Sequence, residues 1–271
     1  MARLIDGTLL PGVPGADPMI GAPPAAGPMA LLAHGTSPYD RSMKGAAVLV
    51  HGAWSNPDDW RWVAALLEAD GVEVRAVDLP SHRSTAATRA DDVAEVEAAI
   101  RAVGSPVVVV GWSYGGAVID GLDVDRLGVI RLVYAAIFPT GPAADDAPPP
   151  HEMDLSHVVF LDEGTCVLDD DWWLAQEEVG SLPPEVQAHL HDHRRRPFAL
   201  GAWAEGEPTC PWRQVATTLV LGRSDTTQSP AQQAWAVDRF DDVRIIDSDH
   251  FVLWRAPEVL SGVVVEALGA A

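Results

Sequence analysis

The 271-residue chain has a single lysine, Lys44, only two cysteines, and 18 Lys and Arg against 39 Asp and Glu, a formal net charge of −21. Each scarcity removes a class of function. A nucleic-acid binder neutralises phosphates with a basic stripe, and the one clear basic run here is Arg194-Arg195-Arg196. An anionic lipid surface is repelled for the same reason. No stretch of about 18 uninterrupted apolar residues occurs, so no membrane-spanning helix is expected. Two cysteines, Cys166 and Cys210, cannot make a disulfide scaffold, and free thiols in a reducing cytoplasm are the expectation. Repeats and coiled-coil heptads are also missing. What is present is 48% hydrophobic and 21% charged residues, a globular balance. The composition predicts an acidic, cytoplasmic globule whose partner is a small-molecule substrate, with oligomeric state left open.

Residues 1–45 carry seven Pro and seven Gly. Proline removes amide donors and fixes φ, so long helices and central strands are not expected there. The region reads as an irregular arm with short edge strands, Met29 to His34 being the best strand candidate. Asp6, Pro11 and Pro14 interrupt what a signal peptide would need as a continuous apolar segment.

From Ala46 strands and helices alternate. Ala46–Val50 is wholly apolar, as in a parallel strand covered on both faces. A helix is expected near Asp58–Ala69, a strand over Val72–Asp78, a helix over Asp91–Val103 and a strand at Val107–Val110. Leu132–Ala136, Thr218–Leu221 and Arg244–Ile246 lie in three more strands, and Pro257 opens a helix to about Leu268. Repeated βα units predict a doubly wound, mostly parallel α/β sheet. Between Pro139 and Pro211 the alternation stops. Pro148-Pro149-Pro150, Asp169-Asp170-Asp171 and the tryptophans Trp172, Trp173, Trp203 and Trp212 mark this segment. A structureless loop of that length is improbable in a compact domain. The expected division is therefore a core at 46–138 and 212–271 and an inserted, mostly helical cap at 139–211.

Chemistry enters at Gly111-Trp112-Ser113-Tyr114-Gly115-Gly116, directly after four valines. This G-x-S-x-G pattern, with a strand before and a helix after, is a nucleophile elbow. Ser113 must sit on a tight, strained turn to project its hydroxyl, and Gly111 and Gly115 keep Cβ atoms out of that turn. The Tyr114 amide then points at an oxyanion. A hydroxyl of ordinary pKa needs a base, and the base an orienting carboxylate. In the order Ser, acid, His, the candidates are Asp225 after Thr218–Leu221 and His250 after the last strand. Asp247 and Asp249 read as loop solvation or turn formation. Ala53, in the loop after the first strand, is the candidate for the second oxyanion amide. His51, beside Gly52, reads as bracing that loop. His189, His191 and His193 read as a solvated cap helix rather than a metal cluster, and His34, His82, His151 and His157 as surface or loop residues.

These motifs resemble the α/β-hydrolase superfamily, in the branch of small esterases and hydroxynitrile lyases that includes plant methyl-ester esterases and bacterial EstC-like esterases. The resemblance runs from about Ala46 to the C-terminus. It rests on Leu49-Val50-His51-Gly52-Ala53, Ala76-Val77-Asp78-Leu79-Pro80, Val109 to Gly116, Leu132-Val133-Tyr134, Gln233-Ala234-Trp235 and Ser248-Asp249-His250. It implies the α/β-hydrolase fold and the triad Ser113, Asp225 and His250. There are two departures. Trp112 stands where the family commonly has His or Glu, and the loop after Ala53, leading to Trp60 and Trp62, is about two residues longer than in the plant esterases. The related lyases carry Lys after the catalytic His and Thr where this chain has Gly52. Here Phe251 follows His250, which favours hydrolysis over cyanohydrin cleavage.

The expected activity is hydrolysis of a carboxylic ester or lactone through an acyl-enzyme, with no metal and no cofactor. The rivals are a hydroxynitrile lyase or a cofactor-free perhydrolase or C–C hydrolase on the same triad, and a catalytically inactive ligand-binding protein on this fold. Trp54, Trp112, Phe251, Trp172 and Trp173 are candidates for an apolar, aromatic substrate pocket, the alternative being that several of them pack the core. The negative charge is expected to slow anionic substrates, an acidic cap at Asp169–Asp171 to sharpen that bias, and Arg194–Arg196 to offset it.

Overall fold

A computed structural model describes residues 44–140, 148, 155–162, 164–203 and 209–271. Most of the N-terminal arm, including the strand expected at Met29–His34, lies outside the described residues, as do His34 and His151.

Six strands make one sheet: β1 (Ala46–Val50), β2 (Glu73–Val77), β3 (Val107–Trp112), β4 (Val129–Ala135), β8 (Ala216–Gly222) and β9 (Asp242–Ile246). Their order is β2-β1-β3-β4-β8-β9 and every neighbouring pair is parallel. The strand period of two divides the side chains between two cores. Ala47, Leu49, Val108, Val110, Val133 and Val220 face one layer, formed by α1 (Arg61–Ala69), α9 (Val252–Arg255) and α10 (Pro257–Gly269). Ala46, Val48, Val50, Val107, Val109, Leu132, Tyr134 and Leu219 face the other, formed by α2 (Arg89–Ala102), α3 (Tyr114–Ile119) and α8 (Pro230–Arg239). Burial on both faces explains why the central strands are unbroken apolar runs. Each fully buried Val or Leu contributes about 1.5–3 kcal/mol.

Local sequence sets the helix boundaries. Thr88 caps α2 and exchanges hydrogen bonds with Asp91, so the helix begins at Arg89 rather than at Asp91. The expected helix at Asp58–Ala69 is two pieces, a 3₁₀ turn at Pro57–Trp60 capped by Asn56, then α1. Helix α8, not placed from the sequence pattern, opens on Ser229-Pro230-Ala231-Gln232, a capping box with Pro in the first turn.

Between β4 and β8 the chain forms an insertion. Its helices are α4 (Asp170–Leu174), α5 (Glu177–Gly180), α6 (Pro184–Asp192) and α7 (Leu200–Trp203). Beside them lies a three-stranded antiparallel sheet, β5 (Val158–Asp162), β6 (Thr165–Leu168) and β7 (Phe198–Ala199), which the sequence pattern did not announce. Both ends of the insertion are pinned at Asp120, the residue that closes α3. The Asp120 carboxylate accepts from the Thr140 amide (2.8 Å) and hydroxyl (2.6 Å), and the Asp120 carbonyl accepts from the Thr209 amide (3.0 Å).

The basic run, expected to offset the acidic bias of the cap, is largely committed to partners, and two of its three arginines fasten the insertion to the core. The Arg195 guanidinium, only 3% exposed, lies 3.3 Å from Asp59 Oδ2 and over the Trp173 ring. Arg196 donates to Asp78 (2.5 Å) and to the His82 carbonyl (3.0 Å), while Arg194 reaches Asp170 and Asp171. His189 is not solvated either: its Nε2 is 2.9 Å from Asp59 Oδ1 with both side chains fully buried. A helix that seats against a second layer must bury one face, and α6 buries Val186, His189 and Leu190. His82 is likewise buried, edge-on to His51.

Among the described residues no helix is long and apolar enough to cross a membrane, and no group of three or more His, Cys, Asp or Glu side chains is placed to hold a metal ion. Cys166 is buried, Cys210 is partly exposed, and both are free thiols.

Candidate active site

Strand β3 ends at Trp112 and helix α3 begins at Tyr114, leaving Ser113 alone in the turn at φ +52° and ψ −123°. A non-glycine residue there is strained, and the surrounding structure must over-determine it. Two hydrogen bonds do so: Ser113 N–H to Ala135 O (3.0 Å) and Gly116 N–H to Ser113 O (2.8 Å). The flanking glycines have no room for side chains. A Cβ on Gly111 would lie 2.6 Å from Gly115 O, and one on Gly115 would overlap Val50 O.

His250 lies in the loop after β9, and its Nε2 is 2.9 Å from Ser113 Oγ. Its Nδ1 is 3.0 Å from Asp225 Oδ2, and the Asp225 side chain is fully buried in the loop after β8. These partners fix the neutral tautomer: Nδ1–H donates to the carboxylate and Nε2 accepts from the serine hydroxyl. Burial pushes the Asp225 carboxyl up, but the hydrogen bond from His250, the positive charge that ring carries when protonated, and the hydrogen bonds from Thr227 outweigh it. The group is held below its ordinary range. Thr227 escaped the sequence reading. Its hydroxyl donates to Asp225 Oδ1 (2.7 Å) and lies 3.2 Å from His250 Nδ1.

The loop bearing Ala53 runs beside the elbow, where a Cβ on Gly52 would lie 3.2 Å from Ser113 Cβ. His51 is fully buried. Its ring bridges Gly52 O (2.9 Å) and the Leu79 amide (3.4 Å), and burial pushes its pKa down to about 4, so it stays neutral. Among the described residues, the turn and loop hydrogen bonds leave the amides of Ala53 and Tyr114 without a backbone acceptor. The Tyr114 side chain turns away and donates to Asp92 (2.6 Å), whose carboxyl burial pushes up.

The five aromatic candidates occupy different places. Trp54 meets Phe198 and Trp203 of the insertion, next to Ala53 and Tyr114. Trp112 is 4% exposed and packs on Trp254 and the His250 ring, and its indole N–H donates to His250 O (2.9 Å). That contact braces the histidine loop. Trp173 is 7% exposed and packs with Phe251 and Trp254, a core position, while Trp172 stacks on His157. Of the two readings of Asp249, turn formation is the one the structure shows: its carboxylate accepts from the Phe251 amide two residues on, and it also pairs with Arg255.

A doubly wound parallel sheet with a strained serine between strand and helix defines a hydrolase scaffold. The chain belongs to the alpha/beta hydrolase family, whose pattern it matches over residues 47–262. It is 30% identical over 232 residues to a pimeloyl-[acyl-carrier protein] methyl ester esterase of Aromatoleum aromaticum, covering 74% of this chain and 88% of that protein. Among solved structures it resembles a pyrethroid hydrolase from Sphingobium faniae, with a TM-score of 0.64 at 19% identity over 83% of this chain and 98% of the other. It also resembles the Arabidopsis methylesterase MES16, with a TM-score of 0.64 at 18% identity over 83% and 99%. The protein is an alpha/beta hydrolase with esterase relatives.

Proposed function

We propose that the protein is a serine esterase that cleaves a carboxylic ester or lactone with a small, apolar or aromatic group. The observation that carries this reading is the unbroken path from Ser113 Oγ through His250 to the buried Asp225 carboxylate, at 2.9 and 3.0 Å. Ser113 attacks the carbonyl carbon while His250 Nε2 takes its proton, and Asp225 holds the imidazole and stabilises the imidazolium. The amides of Ala53 and Tyr114 bind the tetrahedral oxyanion. His250 returns the proton to the leaving alcohol, then takes one from the water that cleaves the acyl-enzyme. His250 hands that proton to Ser113 Oγ as the bond to the acyl carbon breaks, which releases the acid and restores the serine.

Three observations support an ester as the substrate. The relatives bear the names of a methyl ester esterase, a methylesterase and a pyrethroid hydrolase. Phe251 stands beside His250 in place of a lysine. The Trp54, Phe198 and Trp203 rings lie next to the oxyanion loop and offer an apolar wall.

The test is a panel of p-nitrophenyl esters of graded chain length, aryl esters and lactones, each run with Ser113→Ala. Substitution is expected to lower kcat/KM by about three decades or more. Near-wild-type turnover by Ser113→Ala would reject the assignment.

A further inference from the structure

We propose that Arg255 is a positioning residue that ties the seating of the insertion to the aim of His250. The inference rests on the serine-esterase reading and adds to it a residue outside the Ser–His–Asp set. Arg255 closes α9, five residues after His250, and that short helix is anchored by the buried side chains of Val252, Leu253 and Trp254. Its guanidinium works in two directions. Toward the site, Nε (2.9 Å) and Nη2 (2.6 Å) both donate to Asp249 Oδ2, and Asp249 Oδ1 accepts the Phe251 amide at 2.9 Å. Asp249 and Phe251 are the residues on either side of His250. Toward the insertion, Nη1 donates to Ser181 O (3.1 Å), and Nη2 donates to Glu178 O (2.7 Å) and Ser181 Oγ (2.8 Å). Those acceptors sit at the carboxyl end of α5, where carbonyl oxygens have no partner within the helix.

A surface ion pair would not merit this role, since exposed pairs contribute little. This one is different in build. The Arg255 and Asp249 side chains are 21% and 12% exposed, and all three guanidinium nitrogens are engaged. The planar fork of arginine suits such a bridge, and a lysine ammonium cannot span it. The main chain of the same loop is also fixed by the sheet. Trp112 donates to His250 O, and the carbonyls of Ser248 and Asp249 approach Gly222 so closely that any Cβ there would overlap them. His250 is thus held between the sheet and the insertion, and Arg255 carries the link to the insertion. A displacement of about 1 Å in such a group costs up to about a hundredfold in rate.

The test compares wild type with Arg255→Gln, Arg255→Lys, Asp249→Asn and the double variant Asp249→Asn/Arg255→Gln. It is run at a temperature where circular dichroism shows each chain folded. Two readouts are used: kcat and KM on p-nitrophenyl acetate, and the rate at which a fluorophosphonate probe labels Ser113. Each single variant is expected to lose about ten- to a hundredfold in both kcat and labelling rate, with KM little changed. The double variant should be no worse than the poorer single one, because both cut the same link. Arg255→Lys keeps the charge opposite Asp249 and loses the bridge, so it should stay slow. Wild-type kcat in folded Arg255→Lys or Arg255→Gln overturns the proposal. So does a loss confined to KM, or additive losses in the double variant. If Arg255→Gln does not fold, Arg255→Lys and Asp249→Asn carry the same comparison. Absence of labelling at Ser113 in wild type would remove the esterase reading itself, before any Arg255 variant is compared.

Discussion

At the scale of single residues, the strained Ser113 and the two groups behind it are only part of what holds the reactive geometry. Thr227 adds a neutral hydroxyl that binds Asp225 Oδ1 and flanks His250 Nδ1. Hydrogen bonds to charged groups contribute more than neutral ones, so Thr227→Val should lower kcat about tenfold, a rise of about 1.4 kcal/mol in the barrier. Steady-state kinetics on the ester panel would show it, and an unchanged kcat would remove Thr227 from the site. The contrast with Ser113 explains what the sequence could reveal. A nucleophile elbow needs small residues at fixed offsets, so it leaves a local pattern. The positions of Asp225 and His250 follow from chain order around a known kind of sheet. A hydroxyl that reaches a carboxylate from a loop needs no particular spacing, and Thr227 had no pattern to betray it. The same holds for Trp112, whose size was legible but whose bond to His250 O spans 138 positions.

At the scale of elements, the strands of the sheet were readable because burial on both faces demands unbroken apolar runs. The insertion was not, because its pieces are short and its stability comes from partners far away in the chain. His189 and Arg195 meet Asp59 across 130 and 136 positions. Burial works to raise the Asp59 carboxyl, but Arg195, His189 and Ser55 outweigh it and hold the group well below the carboxylate range. Asp59→Asn would leave the Arg195 cation buried without its counter-charge. The expected cost is about 3–5 kcal/mol, read as a lower urea midpoint at unchanged slope. A loss below about 1 kcal/mol would mean the pair behaves as a surface contact. Asp59 also accepts from Ser55 and lies in the turn that follows the loop bearing Ala53, and Arg196 N–H donates to Trp54 O (3.0 Å). The seam between insertion and core is therefore also a support for Ala53.

At the scale of the whole molecule, buried histidines make stability depend on pH. His51 has an ordinary pKa of 6.5 and a folded value of about 4, because burial disfavours its charged form. Between those values the unfolded chain binds the proton that the folded chain refuses, so stability rises with pH across that window. On acidification from pH 6.5 to about 4 the molecule should lose about 3 kcal/mol through this group, and His82 acts in the same direction. Asp120 opposes them. Burial raises its carboxyl from 3.8 to about 6, so its contribution falls as pH rises across that interval. Denaturation of His51→Gln against wild type from pH 4 to 7 isolates the first effect. The variant should show the flatter profile, and parallel profiles would mean that His51 titrates alike in the folded and unfolded chains. Only the −21 charge was visible in the sequence at this scale. Which of the few cations were committed to partners required the packing.

Asp120 holds one further implication, for how this molecule can change. The two ends of the inserted segment hang from one residue, and that residue terminates the helix begun by Ser113. Whatever length of chain runs between Thr140 and Thr209, its points of departure and return are fixed relative to Ser113. Loop-closure entropy grows only slowly with length, so residues can be gained or lost there at little thermodynamic cost. The sheet is then a constant and the insertion a variable. The rings that the segment brings to Trp54 can be exchanged by lengthening, trimming or replacing it while Ser113, Asp225 and His250 keep their register.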